Sequence, residues 1–505
     1  MIRPPVYPPL QTNWLPPTPP LSPLGLPVGS AASAFQIQPA WLPPSSPLSP
    51  VGDSFTPSSP ALSSSQSPTG VSQMDSLSPV SSYTLANGAT GHFMQMRGQQ
   101  KSMFSLMLPI DALSPGIEGL LSDVLEEGSE GTKRFIARLR DQDMIVGFSR
   151  LDNRLWVHGS SPVGQEPEML KSLLTLLTRP AVDSASFSTL QAKSIANEQG
   201  RITNPDILLA TAMLKQLYGA NHTFALEPRQ RMTALGQLDL PGLMAQHNRM
   251  LQAVGKAQAI MISPLPPQAQ RQVLDEAIRE VGWFRNPYVP DSGNAAGMNL
   301  PNPQGAAPPV LVPNESLKRA LVKTIWKMPD PHDPDYAASL LIQDALRGTS
   351  TGSFFQTLRT DHGLVYGVAQ AEGKPLGQGL CYNVGVEVDF GKIGQALDDL
   401  GQVTRNLAQS PMTPAMMDTL KRKSLLNIRD MFQMPQVASI FYFPWLKTGT
   451  TPPDLNRLQA SIEQVTPQDI QRVASRIFLD PSSGFQLAGV SAPSAVLRQW
   501  FPGRV

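Results

Sequence analysis

Residue types that bind metals are present in this chain, but their spacing does not favour a shared site. No two of the six histidines lie within five residues of each other: His92, His158, His222, His247, His332 and His362. The single cysteine, Cys381, excludes an intrachain disulfide and a Cys-rich metal site.

A different chemistry is open to Arg359 and Tyr366. A guanidinium and a phenol both donate hydrogen bonds, so together they can hold a carbonyl group and stabilise an oxyanion that develops on it. In the alternative interpretation, Arg359 pairs with a neighbouring carboxylate and Tyr366 is an ordinary residue of a sheet. The residue types alone leave both interpretations open.

Composition narrows the classes of partner. Lys plus Arg (40) nearly balance Asp plus Glu (39), so no basic field is expected to attract nucleic acid or anionic lipid. We recognise no secretory signal at the N-terminus and no apolar stretch long enough to span a bilayer. The default expectation is therefore a cytoplasmic protein without a membrane span.

Residues 1–80 form a Pro/Ser-rich segment whose only charged residues are Arg3, Asp53 and Asp75. Such a composition cannot bury enough apolar surface to offset the entropy of ordering, so we predict a disordered arm. The near-repeats WLPPTPPLSPLG and WLPPSSPLSPVG suggest a second interpretation, in which they dock into an aromatic groove of a Pro-motif-binding partner.

The rest of the chain predicts an α+β fold of two similar modules, each an antiparallel sheet packed with helices. The first covers residues 81–285 and the second residues 314–505, because both show the same order of strand-like and helical segments. A stretch rich in Pro, Gly and Asn, residues 286–313, predicts the linker between them. The alternating strand Tyr382–Val388 is expected to offer a sheet edge to an extended peptide.

The second module contains the most specific pattern. The segment from Asp335 to Gln370, DYAASLLIQDALRGTSTGSFFQTLRTDHGLVYGVAQ, closely resembles the insulinase/pitrilysin metallopeptidases. Two later helical segments, each starting with a Thr-Pro pair that suits a helix N-terminus, follow at the spacing of that family: Met412–Ile428 and Val465–Pro481. The resemblance covers residues 81–505 and implies two peptidase-like domains.

Active members of that family carry His-x-x-Glu-His on a helix of the first domain, with a later Glu as third zinc ligand. The matching segment here is Ser114–Ser129, SPGIEGLLSDVLEEGS, with Ser114 as the predicted N-cap and Pro115 as the first helical residue. Aligned on the apolar residues of this helix, the two histidines correspond to Gly119 and Asp123 and the Glu base to Ser122. We therefore expect no zinc cofactor in this chain. Glu198, near the third ligand, is interpreted as an ordinary exposed helix residue.

The resemblance also implies a division of labour, in which one subunit binds zinc and its partner supplies an Arg and a Tyr that hold the peptide. Arg359 and Tyr366 occupy the matching positions. The leading hypothesis is an inactive homologue that clamps peptide substrate for a related zinc-bearing subunit. The alternatives are a peptide-binding or assembly scaffold without a role in proteolysis, and an active enzyme with an unusual metal site at Asp123 and Glu198.

Overall fold

The computed structural model describes nine stretches of the chain, and all statements below concern these residues: 79–110, 116–151, 154–220, 225–284, 308–347, 353–365, 369–376, 379–480 and 486–504. They belong to one compact unit that holds two sheets packed with helices. This confirms the predicted α+β class. Residues 1–78 of the predicted arm and most of the predicted linker lie outside the described residues.

The first sheet has six strands in the order β1-β2-β6-β3-β5-β4. Their bounds are β1 Ser81–Thr84, β2 Thr90–Gln95, β3 Lys101–Pro109, β4 Ile145–Leu151, β5 Arg154–Pro162 and β6 Gln258–Ser263. Asn87 and Gly88 lie in the turn that joins β1 to β2, and Gly88 adopts a φ of 87°, which favours glycine. β2 and β6 are parallel, and a long stretch of chain that contains β3, β4, β5 and several helices separates them.

The second sheet has five strands in the order β7-β11-β8-β10-β9. Their bounds are β7 Val310–Pro313, β8 Ala320–Met328, β9 Ala369–Leu376, β10 Gly379–Val388 and β11 Gln486–Ala492. Position by position, this sheet repeats β2 to β6 of the first, including one parallel pair, β7 with β11. The sheets are therefore mixed rather than purely antiparallel, and their shared topology supports two similar modules.

Seventeen helices are assigned among the described residues. Those of the first half are α1 Ile117–Glu127, α2 Glu130–Asp141, α3 Glu166–Thr178, α4 Ser184–Arg201, α5 Pro205–Tyr218, α6 Pro228–Gly236, α7 Leu240–Gln252 and α8 Pro267–Val281. Those of the second half are α9 Tyr336–Leu346, α10 Ser353–Phe355, α11 Ile393–Gln409, α12 Pro414–Met431, α13 Pro435–Phe441, α14 Phe443–Thr448, α15 Leu455–Gln464, α16 Pro467–Phe478 and α17 Ser494–Trp500. A π-helical turn, Gln356–Asp361, follows α10. No described helix is long and apolar enough to cross a membrane.

The predicted Thr-Pro helix starts are confirmed. Thr413 caps α12 by accepting a hydrogen bond from the Met416 amide at 3.3 Å. Thr466 caps α16 in a reciprocal arrangement, in which Asp469 donates its amide to Thr466 Oγ1 and accepts the Thr466 amide. Each cap satisfies donors that a helix N-terminus otherwise leaves without a partner.

Helix α5 belongs to the first half of the chain but packs on the second sheet. Its apolar face contributes Leu209, Met213 and Leu217 to a cluster with Leu321, Ile325, Cys381 and Leu487. Gly489 in β11 allows a close approach, since a Cβ there would lie 2.7 Å from Met213 Sδ. At the edge of the contact, Lys323 Nζ lies 2.7 Å from Asp206 Oδ1.

The reverse contact is made by α13, α14 and the residue between them, which pack on the first sheet. Phe443 meets Trp156 edge to face at 4.9 Å between ring centroids, and buried Tyr442 points its hydroxyl at Met94 Sδ, 3.7 Å away. Arg154 donates a hydrogen bond to the Lys447 carbonyl at 3.0 Å. Each half of the chain thus supplies helices that cover the sheet of the other half.

The expectation that Tyr382–Val388 offers a free sheet edge is wrong. This segment lies in β10, which pairs with β8 on one side and with β9 on the other. From Tyr382 to Gly385 the segment is therefore flanked by a strand on both sides and does not form the edge of the sheet. Alternation of side chains shows that a strand has two different faces, but it does not show whether the strand lies at an edge.

Candidate functional site

The candidate site is built on α1, which packs against edge strand β4 and helix α4. The apolar residues of this helix form a buried stripe, since all of them are 1% exposed or less: Ile117, Leu120, Leu121, Val124 and Leu125. The helix begins at Ile117, after Gly116 with a φ of 89°, so the expected start at Pro115 is corrected. The predicted cap Ser114 lies, with Pro115, outside the described residues. Gly128 follows the last helical residue.

The three positions that correspond to the zinc motif do not fit a zinc ion. Gly119 is exposed and has no ligand atom, and Ser122 donates its hydroxyl to the Glu118 carbonyl of the same helix at 3.1 Å. Asp123 is largely buried, and its Oδ1 lies 3.7 Å from the ammonium of Lys193. Among the described residues, no three His, Cys, Asp or Glu side chains converge as a metal site requires.

Lys193 in α4 joins two acidic residues of α1. Its ammonium also lies 3.1 Å from Glu127 Oε1, one helical turn beyond Asp123. Burial raises the pKa of Asp123 to about 6, an effect that Lys193 opposes and Glu127 reinforces. Sequence reasoning missed Lys193, because a helical lysine gives no local sign of a carboxylate 70 residues earlier.

A second ion cluster surrounds Glu118. Its Oε1 lies 2.9 Å from Arg150 Nη1 of β4 and 2.9 Å from Arg231 Nη1 of α6. Burial alone would raise the pKa of Glu118, but the two guanidiniums overcome this and lower it. The carboxylate therefore stays ionised, and it ties α1 to both neighbouring elements.

Glu126 is the third acidic group of this helix with an unusual environment. Its Oε1 accepts a hydrogen bond from the Phe148 amide of β4 at 2.7 Å. Burial raises the pKa of Glu126 to about 7, and the Phe148 bond opposes this rise only in part. The side chain therefore changes charge near neutral pH.

We expect Glu126→Gln to stabilise the protein relative to wild type by up to about 3 kcal/mol at pH 8, and by almost nothing at pH 4.5. The folded pKa of Glu126 is raised, so its contribution to stability is complete below pH 4.5 and is lost as the pH rises through about 7. Gln keeps an acceptor for Phe148 and carries no charge. Urea unfolding of both proteins from pH 4.5 to 8 measures the difference, and a difference that does not change with pH would contradict the prediction.

Glu198 is not the exposed residue that the sequence suggested. Its side chain is 12% exposed, and its Oε2 lies 3.4 Å from Arg201 Nε. It also raises the pKa of Arg231, although burial lowers that pKa overall. Glu198 therefore belongs to the group of charged residues around α1 and α4. Among the described residues, no further ligands lie beside it to form a metal site.

Arg359, the predicted peptide contact, is exposed on the π-helical turn, while the preceding Leu358 is fully buried. Its guanidinium carbon lies 4.9 Å from the centre of the Phe355 ring, a distance typical of cation–π contacts. π-Helical turns are rare and occur frequently at functional sites. Tyr366 lies outside the described residues, so its predicted role stays a prediction.

Comparison with known proteins supports the family resemblance. Residues 262–424 match the family model described as the peptidase M16 inactive domain. No curated protein matches the chain. The match begins in β6 of the first module, crosses the predicted linker and ends in α12 of the second module, so it includes Arg359.

Solved structures share the fold across most of the chain. A protease from Helicobacter pylori is similar with a TM-score of 0.70 and 13% identity, over 83% of this chain and all of that one. The peptidase M16 inactive domain from Pseudomonas fluorescens gives 0.64 and 17%, over 82% and 98%. The periplasmic protease PqqL from Escherichia coli gives 0.62 and 13%, over 88% of this chain and 49% of that one.

Residues 262–424 therefore match the peptidase M16 inactive domain, and most of the chain shares the fold of these solved structures.

Proposed function

We propose that this protein is the substrate-clamping partner of a related zinc peptidase. The observation that carries the proposal is the contrast between the two modules. On α1, the motif positions have changed to Gly119, Ser122 and Asp123, and Asp123 pairs with Lys193 inside the protein. On the second module, Arg359 is exposed on the π-helical turn, and its guanidinium carbon lies 4.9 Å from the centre of the Phe355 ring.

Arg359 suits the role of a clamp because a guanidinium donates several hydrogen bonds in a fixed plane. The aromatic ring of Phe355 restricts the orientation of the guanidinium, which reduces the entropy lost on peptide binding. The catalytic zinc would then belong to the partner subunit, and this chain would contribute binding and stabilisation of the reacting carbonyl.

Arg359→Ala is expected to lower peptide cleavage by the mixture with a zinc-bearing relative by about 100- to 1,000-fold, the usual effect of losing one donor to an oxyanion in the transition state. The measurement is kcat/KM for a fluorogenic peptide with the partner at fixed concentration. Tyr366→Phe is the second variant, and we expect a smaller loss. Arg405→Ala, which removes an exposed arginine from α11 of the same module, is the matched control.

The proposal requires that the chain co-purify with a relative that carries His-x-x-Glu-His. Full activity of that relative alone, together with unchanged rates for Arg359→Ala, would exclude the clamp role. Stable association without hydrolysis in any mixture would support the alternative, a peptide-binding or assembly scaffold.

A further inference from the structure

We infer that the Lys193 ammonium serves as the internal cation of the degenerate site and takes the electrostatic place of the metal ion. Lys193 lies on α4, the helix on which the third ligand was expected. It contacts Asp123, which occupies a position of the lost motif, and Glu127 one turn later. This inference concerns the chain itself and does not rest on the proposed partner role.

The contact is partly shielded from water. The side chains of Asp123, Glu127 and Lys193 are 12%, 23% and 30% exposed. An ammonium at this place neutralises carboxylates as a bound cation would, and it links α1 to α4. The ammonium of Lys193 has no acceptor atom and no open coordination position. It therefore cannot act as a Lewis acid on a substrate.

Two other acidic residues of α1, Glu118 and Glu126, also have partners within the protein. Glu118 is held between Arg150 and Arg231, and Glu126 accepts the Phe148 amide. These protein groups supply charge and hydrogen bonds to the acidic residues of α1 without a bound ion. The packing of this region is therefore independent of metal.

A divalent cation beside Asp123 would lie close to the Lys193 ammonium, and two like charges in a partly buried place repel each other strongly. Restoring the motif residues should therefore not be enough to restore zinc binding. Gly119 can accept a side chain, because a Cβ there meets no atom within 4 Å. The remaining obstacle is Lys193.

The test compares two variants of the full chain. One carries Gly119→His, Ser122→Glu and Asp123→His with Lys193 retained, and the other adds Lys193→Met. Zinc per chain is measured by elemental analysis, and the Kd by competition with a chromogenic chelator. We expect zinc to bind at least about 100-fold more tightly when Lys193 is replaced. Equal affinity in the two variants would overturn the inference.

Lys171→Met, added to the same triple variant, is the matched control, because Lys171 is an exposed lysine of α3 paired with Glu280. It should leave zinc affinity unchanged. A second measurement needs only single variants, in case the triple variant does not fold. Lys193→Met should lower the Tm at pH 8, and Lys193→Arg should stay close to wild type. A Lys193→Met protein with the wild-type Tm would overturn the inference.

Discussion

Replacing both Leu209 and Met213 by alanine should lower the free energy of unfolding by roughly 4–8 kcal/mol. Both side chains are fully buried where α5 meets the second sheet. Truncation removes apolar contacts and leaves a cavity that β11 cannot fill, because Gly489 has no side chain. Urea unfolding followed by circular dichroism gives the change, and hydrogen exchange should show faster exchange in β7 and β11.

Gln216→Ala is the matched control, since Gln216 lies on the same helix and is exposed. It should change stability by no more than about 0.5 kcal/mol. A double alanine variant that loses less than about 1 kcal/mol would show that α5 contributes little to holding the second sheet. An effect of the expected size is a large fraction of the free energy of unfolding of an ordinary protein, which is about 5–15 kcal/mol.

Glu118→Ala is the second substitution with a large expected effect, a loss of about 3–5 kcal/mol. The side chains of Glu118 and Arg231 are 8% and 6% exposed, so removal of the carboxylate leaves Arg231 buried beside Arg150 without its closest counter-charge. Repulsion between the two guanidiniums then adds to the desolvation of Arg231. Thermal unfolding at pH 7 measures the loss.

The control for this prediction is a double variant, Glu118→Ala with Arg231→Met. Removing both charges eliminates the buried guanidinium that has lost the Glu118 carboxylate and keeps an apolar chain of similar length, so most of the stability should return. If the double variant is as unstable as Glu118→Ala alone, the effect comes from lost packing of Glu118 and not from uncompensated charge.

Local sequence signals predicted much of the fold. The Thr413 and Thr466 caps lie where the Thr-Pro pairs predicted them. These signals work because a helix start and its buried stripe depend on neighbours within a few residues. Gly116 shows the limit, since its left-handed conformation starts α1 two residues later than Pro115 suggested.

Features that depend on distant partners could not be predicted in this way. Nothing local in the sequence shows that the apolar face of α5 covers the second sheet. In the candidate site, the resemblance to the family assigned Gly119, Ser122 and Asp123 to the motif positions. The roles of Lys193 and Arg231 could not be predicted, because each pairs with an acidic residue of α1 that is distant in sequence.

The exchange of helices between the two halves has a consequence for synthesis on the ribosome. Strands β3 and β6 are complete once Ser263 is made, but α13 and α14, which cover part of their surface, end only at Thr448. At 5–20 residues per second, the first sheet waits about 10–40 s for this cover. During that time its apolar face is accessible to chaperones and to other nascent chains. We therefore expect translation speed between residues 263 and 448 to influence the yield of soluble protein.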